Sequence, residues 1–311
     1  MKKGQMVSPY LKNKGSAVRF CLWPQMDNKI KKTFDLSKLQ FTKHSKYFDV
    51  YKKIFKDLYE KELTIIEIGV LHGGSIEAYK KIFPNSRIIG IDKNPKVKEL
   101  EKYGFEIFIA DSGNFNEMRE VFNKIGSFDI LIDDGGHTYK QQISSCEAAF
   151  EYANSESLIL VEDTHTSYMK EFDNKSMYTF QNYAFNKVNK LNNNFFDSGT
   201  EKVIYSIEFF ESITVFKINK SLTSEKNYNY KNKGIVIESM QDFRYSDIFS
   251  SPIYKKVQNF LYYLFRSRWS KSIMKKFIKM EKLILLNFRL MKTKQENKKL
   301  SQYFWKNHKT Y

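Results

Sequence analysis

Five short apolar runs, each followed by sequence with helical periodicity, constrain the fold of this chain more than any other feature. The first run is rich in β-branched residues and ends in glycine, and the sequence turns helical from Gly73 onward. The five runs lie at 63–69, 87–92, 105–110, 128–133 and 157–162. Apolar strands that alternate with helices indicate a parallel sheet, covered on both faces and connected by right-handed crossovers.

The pattern changes after a helical stretch at about 177–191. Apolar residues alternate from Val203 to Phe209 and return from Ile213 to Ile218, with a connection of only a few residues. Two strands joined this closely must run antiparallel. The predicted fold class is therefore α/β, with the Rossmann-like outline of a class I methyltransferase: a parallel sheet closed by an antiparallel hairpin.

The length of 311 residues allows one large core with appendages. We predict a loose N-terminal arm and a helix at 1–60, for which a lid is one of two roles, a catalytic domain at 61–220, and a linker with a helical tail at 221–311. No apolar run approaches the roughly 20 residues that span a bilayer, so we expect a cytoplasmic protein. Cys21 and Cys146 stand alone and predict two reduced thiols.

The net charge of +17 is concentrated in the tail. Residues 251–311 hold 16 of the 52 basic residues and only two of the 35 acidic ones, which leaves 36 basic against 33 acidic in the rest of the chain. Apolar residues at helical spacing among these lysines favour either peripheral contact with an anionic membrane or packing and homo-oligomerisation. Nucleic-acid binding is a third, disfavoured role, because the body is nearly neutral.

A glycine turn follows the first predicted strand, at the point where an open α/β sheet binds ligands. Its G-x-x-x-G spacing does not match the dinucleotide pattern, which serves a pyrophosphate. S-adenosylmethionine carries no phosphate, so a looser glycine turn preceded by an acid suffices for it. The candidate cofactor-binding residues of this turn are Glu67, Gly69, Gly73 and Ser75.

The next two strand ends also carry polar residues suited to this cofactor. Asp92 follows the second strand, where a carboxylate accepts hydrogen bonds from both ribose hydroxyls. Asp111 and Ser112 follow the third, within reach of the adenine amino group.

Paired acids end the fourth and fifth strands: Asp133 and Asp134, then Glu162 and Asp163. Four carboxylates at adjacent strand ends repel one another unless a cation neutralises them. Oxygen ligands of this kind suit Mg²⁺, or Mn²⁺ as an alternative, and the open coordination positions suit two vicinal sugar hydroxyls.

A histidine lies close behind each acidic pair. His137 and His165 are both placed to accept a proton from a hydroxyl whose pKa a metal has lowered. The same residues also have purely structural interpretations: aspartates before glycines form turns, Asp163 can cap the following helix, and isolated histidines are usually structural. The sequence does not decide which aspartate ligates or which histidine acts as the base.

At these residues the chain resembles the macrolide-sugar O-methyltransferases of the mycinamicin and macrocin type and the related cephalosporin hydroxylase-like proteins. The resemblance extends over about residues 41–219. It rests on IEIGVLHGGS at 66–75, IDDGGHTY at 132–139, VEDTHTSY at 161–168 and the hairpin IYSIEFFESITVF at 204–216.

The resemblance implies Mg²⁺-dependent methyl transfer to a sugar hydroxyl. Its ligands would be Asp133 or Asp134 with Glu162 and Asp163, and its base His165 or His137. The acceptor would then be a sugar-containing small molecule, whereas a basic tail at the membrane surface would suit a lipid-linked glycan.

The segment before residue 41 and everything after about 221 fall outside the resemblance, which leaves the acceptor open. Lys43, His44 and Tyr47 belong either to a lid over the acceptor or to the surface of an arm helix.

Two other functions compete with this prediction. An RNA methyltransferase would use the basic tail for binding, although most base methylation needs no acidic metal cluster. A non-catalytic binding module would keep the fold without the reaction.

Overall fold

The structure is a computed structural model that describes residues 29–172, 178–193, 202–225, 228, 230, 232–235, 256 and 259. Its framework is one seven-stranded sheet. The strands are β1 (Thr64–Ile68), β2 (Arg87–Asp92), β3 (Glu106–Ile109), β4 (Phe128–Asp133), β5 (Ala153–Val161), β6 (Ile204–Phe210) and β7 (Ile213–Ile218). All seven predicted strands are therefore present, and only β5 begins well before its predicted start.

The strands lie in the order β3-β2-β1-β4-β5-β7-β6. The first five run parallel, whereas β7 is antiparallel to both β5 and β6. This arrangement confirms the predicted Rossmann-like class I methyltransferase fold. The strand order reverses between β1 and β4, so the carboxyl ends of these strands form the crevice in which such sheets bind ligands.

Helices cover both faces of the sheet. They are α1 (Lys29–Asp35), α2 (Tyr47–Ile54), α3 (Gly74–Ile82), α4 (Phe115–Ile125), α5 (Tyr139–Tyr152), α6 (Phe180–Asn193) and α7 (Lys220–Ser224), with 3₁₀ segments at Pro95–Tyr103, Thr164–Tyr168 and Lys170–Phe172. One apolar core contains buried residues of α1, α2 and α3, and the other contains those of α4, α5 and α6.

The N-terminal region differs from the prediction of a loose arm followed by one helix. The structure has two helices between residues 29 and 54, and both pack into the core. Phe34 of α1 is fully buried, with its ring 5.2 Å from that of Phe48 and 5.5 Å from that of Tyr79. A seven-residue helix contains too few apolar positions for its periodicity to be detected. The predicted domain boundaries themselves stay predictions.

All these elements belong to the first of two compact units, Met1–Asn227 and Tyr228–Tyr311. Of the predicted helices of the basic tail, the structure describes only residues 256 and 259, which are both helical; the rest lies outside the described residues. Among the helices that the structure describes, none has the length and apolar character needed to cross a membrane.

Candidate active site

A cavity of about 360 Å³ lies at the carboxyl ends of the central strands. This volume is within the usual range for small-molecule sites. Four of the predicted cofactor-binding residues line it: Gly69, Ser75, Asp92 and Ser112. The crevice predicted from the strand order therefore contains a cavity of suitable size.

Gly69 allows the turn after β1 to approach the end of β4 closely. Its φ is +88°, and a Cβ at this position would lie 2.1 Å from the backbone oxygen of Asp134. Its backbone N–H donates to the carbonyl of Ile91 in β2, at 2.8 Å. Only glycine satisfies both the conformation and the contact, so this residue lets the turn after β1 pack against the backbone at the end of β4.

Asp92 organises the glycine turn as well as lining the cavity. Its Oδ2 accepts hydrogen bonds from the backbone N–H groups of Val70 and Leu71, at 3.0 and 3.1 Å, and its Oδ1 accepts from Asn94 at 2.9 Å. A carboxylate oxygen can accept more than one hydrogen bond. Asp92 therefore retains acceptor capacity toward the cavity.

The other three predicted cofactor residues, Glu67, Gly73 and Asp111, lie outside the cavity lining, and Glu67 is fully buried against Lys43. Gly73 caps α3 with φ +85°, and a Cβ there would lie 2.9 Å from the side chain of Leu100. Asp111 accepts a hydrogen bond from the backbone of Gly113 at 2.9 Å. Their predicted role in cofactor binding stays a prediction.

A buried lysine lies at the centre of the acidic cluster. Lys43 Nζ is 2.6 Å from Asp134 Oδ2, 3.0 Å from Glu162 Oε2 and 3.3 Å from Glu67 Oε1, and its side chain is 1% exposed. Lys43 is therefore not a residue of the helix surface. The sequence indicated that converging carboxylates need a cation, and this lysine supplies one positive charge.

The pKa values in this cluster reflect burial opposed by the lysine. Burial raises the pKa of Glu67 to about 7 and that of Glu162 to about 8, although Lys43 acts in the opposite direction. Burial acts to lower the pKa of Lys43, but Asp134 and Glu162 outweigh it and hold that pKa well above its usual value. The Tyr51 hydroxyl donates to Glu162 Oε1, so both oxygens of this carboxylate have protein partners.

Asp133 is directed into the protein interior. Its Oδ2 accepts from the Ser145 hydroxyl and its Oδ1 from the backbone of Gly135, at 3.2 Å. The side chain is buried, and burial raises its pKa to about 6. Asp134, in contrast, lines the cavity.

Asp134, His137 and Asp163 form a group suited to a metal ion at the cavity wall. One potential ligand atom from each lies within 4.8 Å of the others. His137 Nε2 is 3.3 Å from Asp163 Oδ2 and 3.9 Å from Asp134 Oδ1. The structure therefore brings two predicted ligands together with one predicted base.

His165 lies on the other side of Asp163. Its Nδ1 is 2.5 Å from Ser212 Oγ and 3.8 Å from Asp163 Oδ1, and its side chain is 45% exposed. The Tyr47 hydroxyl donates to the same carboxylate, and His44 Nε2 is 3.7 Å from it. Of the two predicted bases, only His137 is among the described residues that line the cavity.

The N-terminal segment closes one side of the cavity. We call residues 37–46 the cover segment, because they cross the start of α3 and lead to the acidic cluster. Gly74 donates its N–H to the carbonyl of Gln40 at 3.1 Å, and the Glu77 carboxylate accepts from the backbone of residues 38–39 at 2.8 and 2.9 Å. A Cβ on Gly74 would lie 2.4 Å from the Gln40 oxygen, so this crossing requires glycine.

Sequence comparison identifies relatives that methylate sugars, although no protein-family model matches the chain. The 8-demethyl-8-alpha-L-rhamnosyl tetracenomycin-C 2'-O-methyltransferase of Streptomyces olivaceus is 29% identical over 133 residues, 40% of this chain and 35% of that protein. The mycinamicin VI 2''-O-methyltransferase of Micromonospora griseorubida is 28% identical over 129 residues, 39% of this chain and 32% of that protein. The chain thus matches about a third of the length of these curated relatives.

Comparison with solved structures leads to the same group. The MycE methyltransferase of the mycinamycin pathway, in complex with Mg, SAH and mycinamycin VI, matches with a TM-score of 0.55 and 20% identity. The match covers 65% of this chain and 56% of MycE. A match at 20% sequence identity establishes the fold alone. The chain therefore has a class I methyltransferase fold, and its sequence is similar to those of sugar O-methyltransferases, as its motifs predicted.

Proposed function

We propose that this chain is an S-adenosylmethionine-dependent O-methyltransferase, of EC 2.1.1 type, which uses a divalent metal to methylate a hydroxyl of a sugar-bearing molecule. The observation that carries the proposal is that Asp134, His137 and Asp163 line the same cavity as Gly69 and Asp92. A metal-type group and a cofactor-type turn thus share one space. The names of the relatives, which are sugar O-methyltransferases, support the same reaction.

The cofactor side of the cavity fits an adenosyl group. Asp92 has acceptor capacity left for the ribose hydroxyls after its three backbone contacts. Ser112 lines the cavity after β3, where it can contact the adenine amino group. S-adenosylmethionine would supply an electrophilic methyl group, and the protein would hold it in line with the acceptor hydroxyl.

The acidic side fits a divalent cation. Asp134 and Asp163, which line the cavity, are two of the ligands that we propose. Glu162 is the third, which the resemblance to the sugar O-methyltransferases adds; it is fully buried outside the cavity lining, so its oxygens would have to be shared between the metal and their partners Lys43 and Tyr51. Asp133, the fourth predicted ligand, would have to give up its contact with Ser145. Carboxylates outnumber the single buried ammonium, which favours a cation such as Mg²⁺ or Mn²⁺. When bound, this metal would lower the pKa of an acceptor hydroxyl.

His137 is the base that the geometry favours. Its Nδ1 is buried and has no hydrogen-bond partner among the described residues, and its Nε2 faces Asp163 at 3.3 Å. His165 uses Nδ1 for Ser212 and lies nearer to solvent. We therefore assign proton acceptance to His137 and keep His165 as the alternative.

We propose that the acceptor is a sugar-containing small molecule or a lipid-linked glycan. The enzyme would act in the cytoplasm, and the basic tail at 251–311 would provide either peripheral contact with the inner face of the membrane or homo-oligomerisation. Turnover of a panel of nucleotide sugars, glycosylated metabolites and lipid-linked glycans would identify the acceptor class. Salt-sensitive retention of RNA by a chain that lacks this tail would instead favour the RNA methyltransferase.

The experiment begins with calorimetry of S-adenosylmethionine and S-adenosylhomocysteine on the full chain. Binding is expected, and no binding at millimolar concentration would refute both methyltransferase alternatives. The second step measures methyl transfer to a responsive acceptor with added Mg²⁺ and with EDTA. Full activity in EDTA would refute the metal assignment and leave the cofactor assignment standing.

Variants then separate the two histidines and the metal ligands. His137→Asn is expected to lower kcat by about 100-fold or more, whereas His165→Asn should lower it far less. Asp163→Asn should abolish the Mg²⁺ stimulation. Glu211→Gln is the matched carboxylate control, because this side chain is 75% exposed and pairs with Lys46 at the surface.

A further inference from the structure

Lys43 is a charged residue in the site for which methyl transfer provides no direct role. Its ammonium contacts three carboxylates, and its side chain is 1% exposed. A buried charge is costly unless its partners are well arranged, and removal of one partner leaves the others uncompensated. The position of this ammonium therefore influences the arrangement of the carboxylates around it.

The contacts of Lys43 are distributed unevenly over the oxygens of the cluster. It binds Asp134 through Oδ2, while Asp134 Oδ1 faces His137 and the cavity. It binds Glu162 through Oε2, and the Tyr51 hydroxyl holds the other oxygen. The lysine thus contacts one oxygen of each of two proposed ligands, Asp134 and Glu162. The other oxygen of Asp134, Oδ1, faces His137.

The third contact anchors the lysine to a residue outside the proposed ligand set. Glu67 is the penultimate residue of β1, is fully buried, and accepts from Lys43 at 3.3 Å. The strand thereby provides a rigid reference for the ammonium. The ammonium that contacts Asp134 and Glu162 is thus also attached to a strand of the sheet.

The lysine also connects the acidic cluster to the cover segment. Residues 38–40 of that segment are hydrogen-bonded to Glu77 and Gly74 of α3. Lys43 lies three residues further along the same segment, and its ammonium contacts three carboxylates of the cluster. The segment that closes one side of the cavity therefore contains the cation that contacts the acidic side.

We propose that Lys43 is a positioning residue of the metal site: it orients Asp134 and Glu162 for a divalent cation and couples metal binding to closure of the cover segment. This inference rests on the proposed function, because it requires that the acidic side binds a metal. The alternative role of a tethered competitor, which a metal must displace, makes the opposite prediction for metal affinity.

The experiment measures Mn²⁺ binding to the full chain by calorimetry and by electron paramagnetic resonance, without substrate. Lys43→Met keeps an unbranched side chain that is one atom shorter and removes the charge, and we expect Mn²⁺ affinity to fall by about 10- to 100-fold. Lys43→Arg should restore part of it. Lys46→Met is the matched control: this lysine belongs to the same segment but is 69% exposed, and its variant should bind Mn²⁺ like the wild type.

A second measurement uses only the wild-type protein, so it does not depend on whether a variant folds. Mn²⁺ should slow hydrogen exchange of the backbone amides at residues 38, 39 and 74 in the wild type, because the metal fixes the carboxylates that hold Lys43. Unchanged exchange on saturation with Mn²⁺, or Mn²⁺ affinity in Lys43→Met equal to or above that of the wild type, would overturn the inference alone. A wild type that binds no Mn²⁺ would overturn the proposed metal site as well, and the two failures are therefore distinguishable.

Discussion

Replacement of Gly69 by alanine tests whether the turn after β1 and the end of β4 form one rigid unit. The added Cβ would lie 2.1 Å from the Asp134 oxygen, whereas real Cβ contacts essentially never fall below 3.0 Å, so the backbone must separate by about 0.9 Å. The moving part is the backbone that carries Asp134. The substitution should therefore perturb both stability and the acidic site.

The expected cost has two parts. An L-residue at φ +88° costs about 1 to 2 kcal/mol relative to glycine. Overpacking against backbone adds about 1 to 3 kcal/mol. Gly104→Ala is a matched control for the first part, because Gly104 has φ +84° and an added Cβ there would have no neighbour within 4 Å.

Urea denaturation of both variants gives the two free energies of unfolding. We expect Gly69→Ala to lose about 2 kcal/mol more than Gly104→Ala, and to bind Mn²⁺ and S-adenosylhomocysteine more weakly. Gly104→Ala should bind both like the wild type. Equal destabilisation of the two variants would show that the turn and the β4 end separate freely, and would refute the argument.

Three further predictions concern groups buried around the site. Burial raises the pKa of Asp133 from its usual 3.8 to about 6. The stability that this carboxyl group contributes is therefore complete below about pH 4 and is lost as pH rises through 6. Between pH 4 and 7 the wild type should thus lose about 3 kcal/mol more than Asp133→Asn in urea denaturation, and parallel profiles would contradict this assignment. Cys146 is fully buried, and burial raises the pKa of its thiol. In a Cys21→Ser variant, which leaves Cys146 as the one thiol, a thiol reagent should react only on unfolding. Rapid reaction of this variant in its native state would contradict the burial. Phe34→Ala should cost about 3 to 5 kcal/mol on thermal or urea unfolding because the ring is fully buried, whereas a loss below 1 kcal/mol would support the loose arm.

The sheet was predictable from the sequence because a buried strand leaves a strong local signal. Isoleucines fill β1, β2 and β4, and turn residues or charged residues bound these runs. β5 shows where the signal fails. It begins at Ala153, four residues before the predicted start, and residues 154–157 are all polar and have no periodicity.

The candidate site was predictable only in part, for a different reason. Strand ends are brought together by topology, so Asp134 and Asp163 were predicted to meet once the parallel sheet was recognised. Lys43 lies in a connection with no repeating pattern, and its contacts with the three carboxylates become visible only in the folded structure. The direction of Asp133 depends on Ser145, a residue of α5 whose side-chain contact leaves no trace in the local sequence.

Backbone strain at the site constrains how its chemistry can be tested. Five described residues other than glycine have positive φ, and four of them lie at or beside the cavity: Leu71, His137, Asp163 and Ser212. Such conformations cost about 1 to 3 kcal/mol each and persist only where the surroundings enforce them. Asparagine tolerates the left-handed region better than most residues. His137→Asn and Asp163→Asn therefore remove the proposed base or the ligand charge with little added backbone strain, whereas alanine at either position would change the side chain and the turn together.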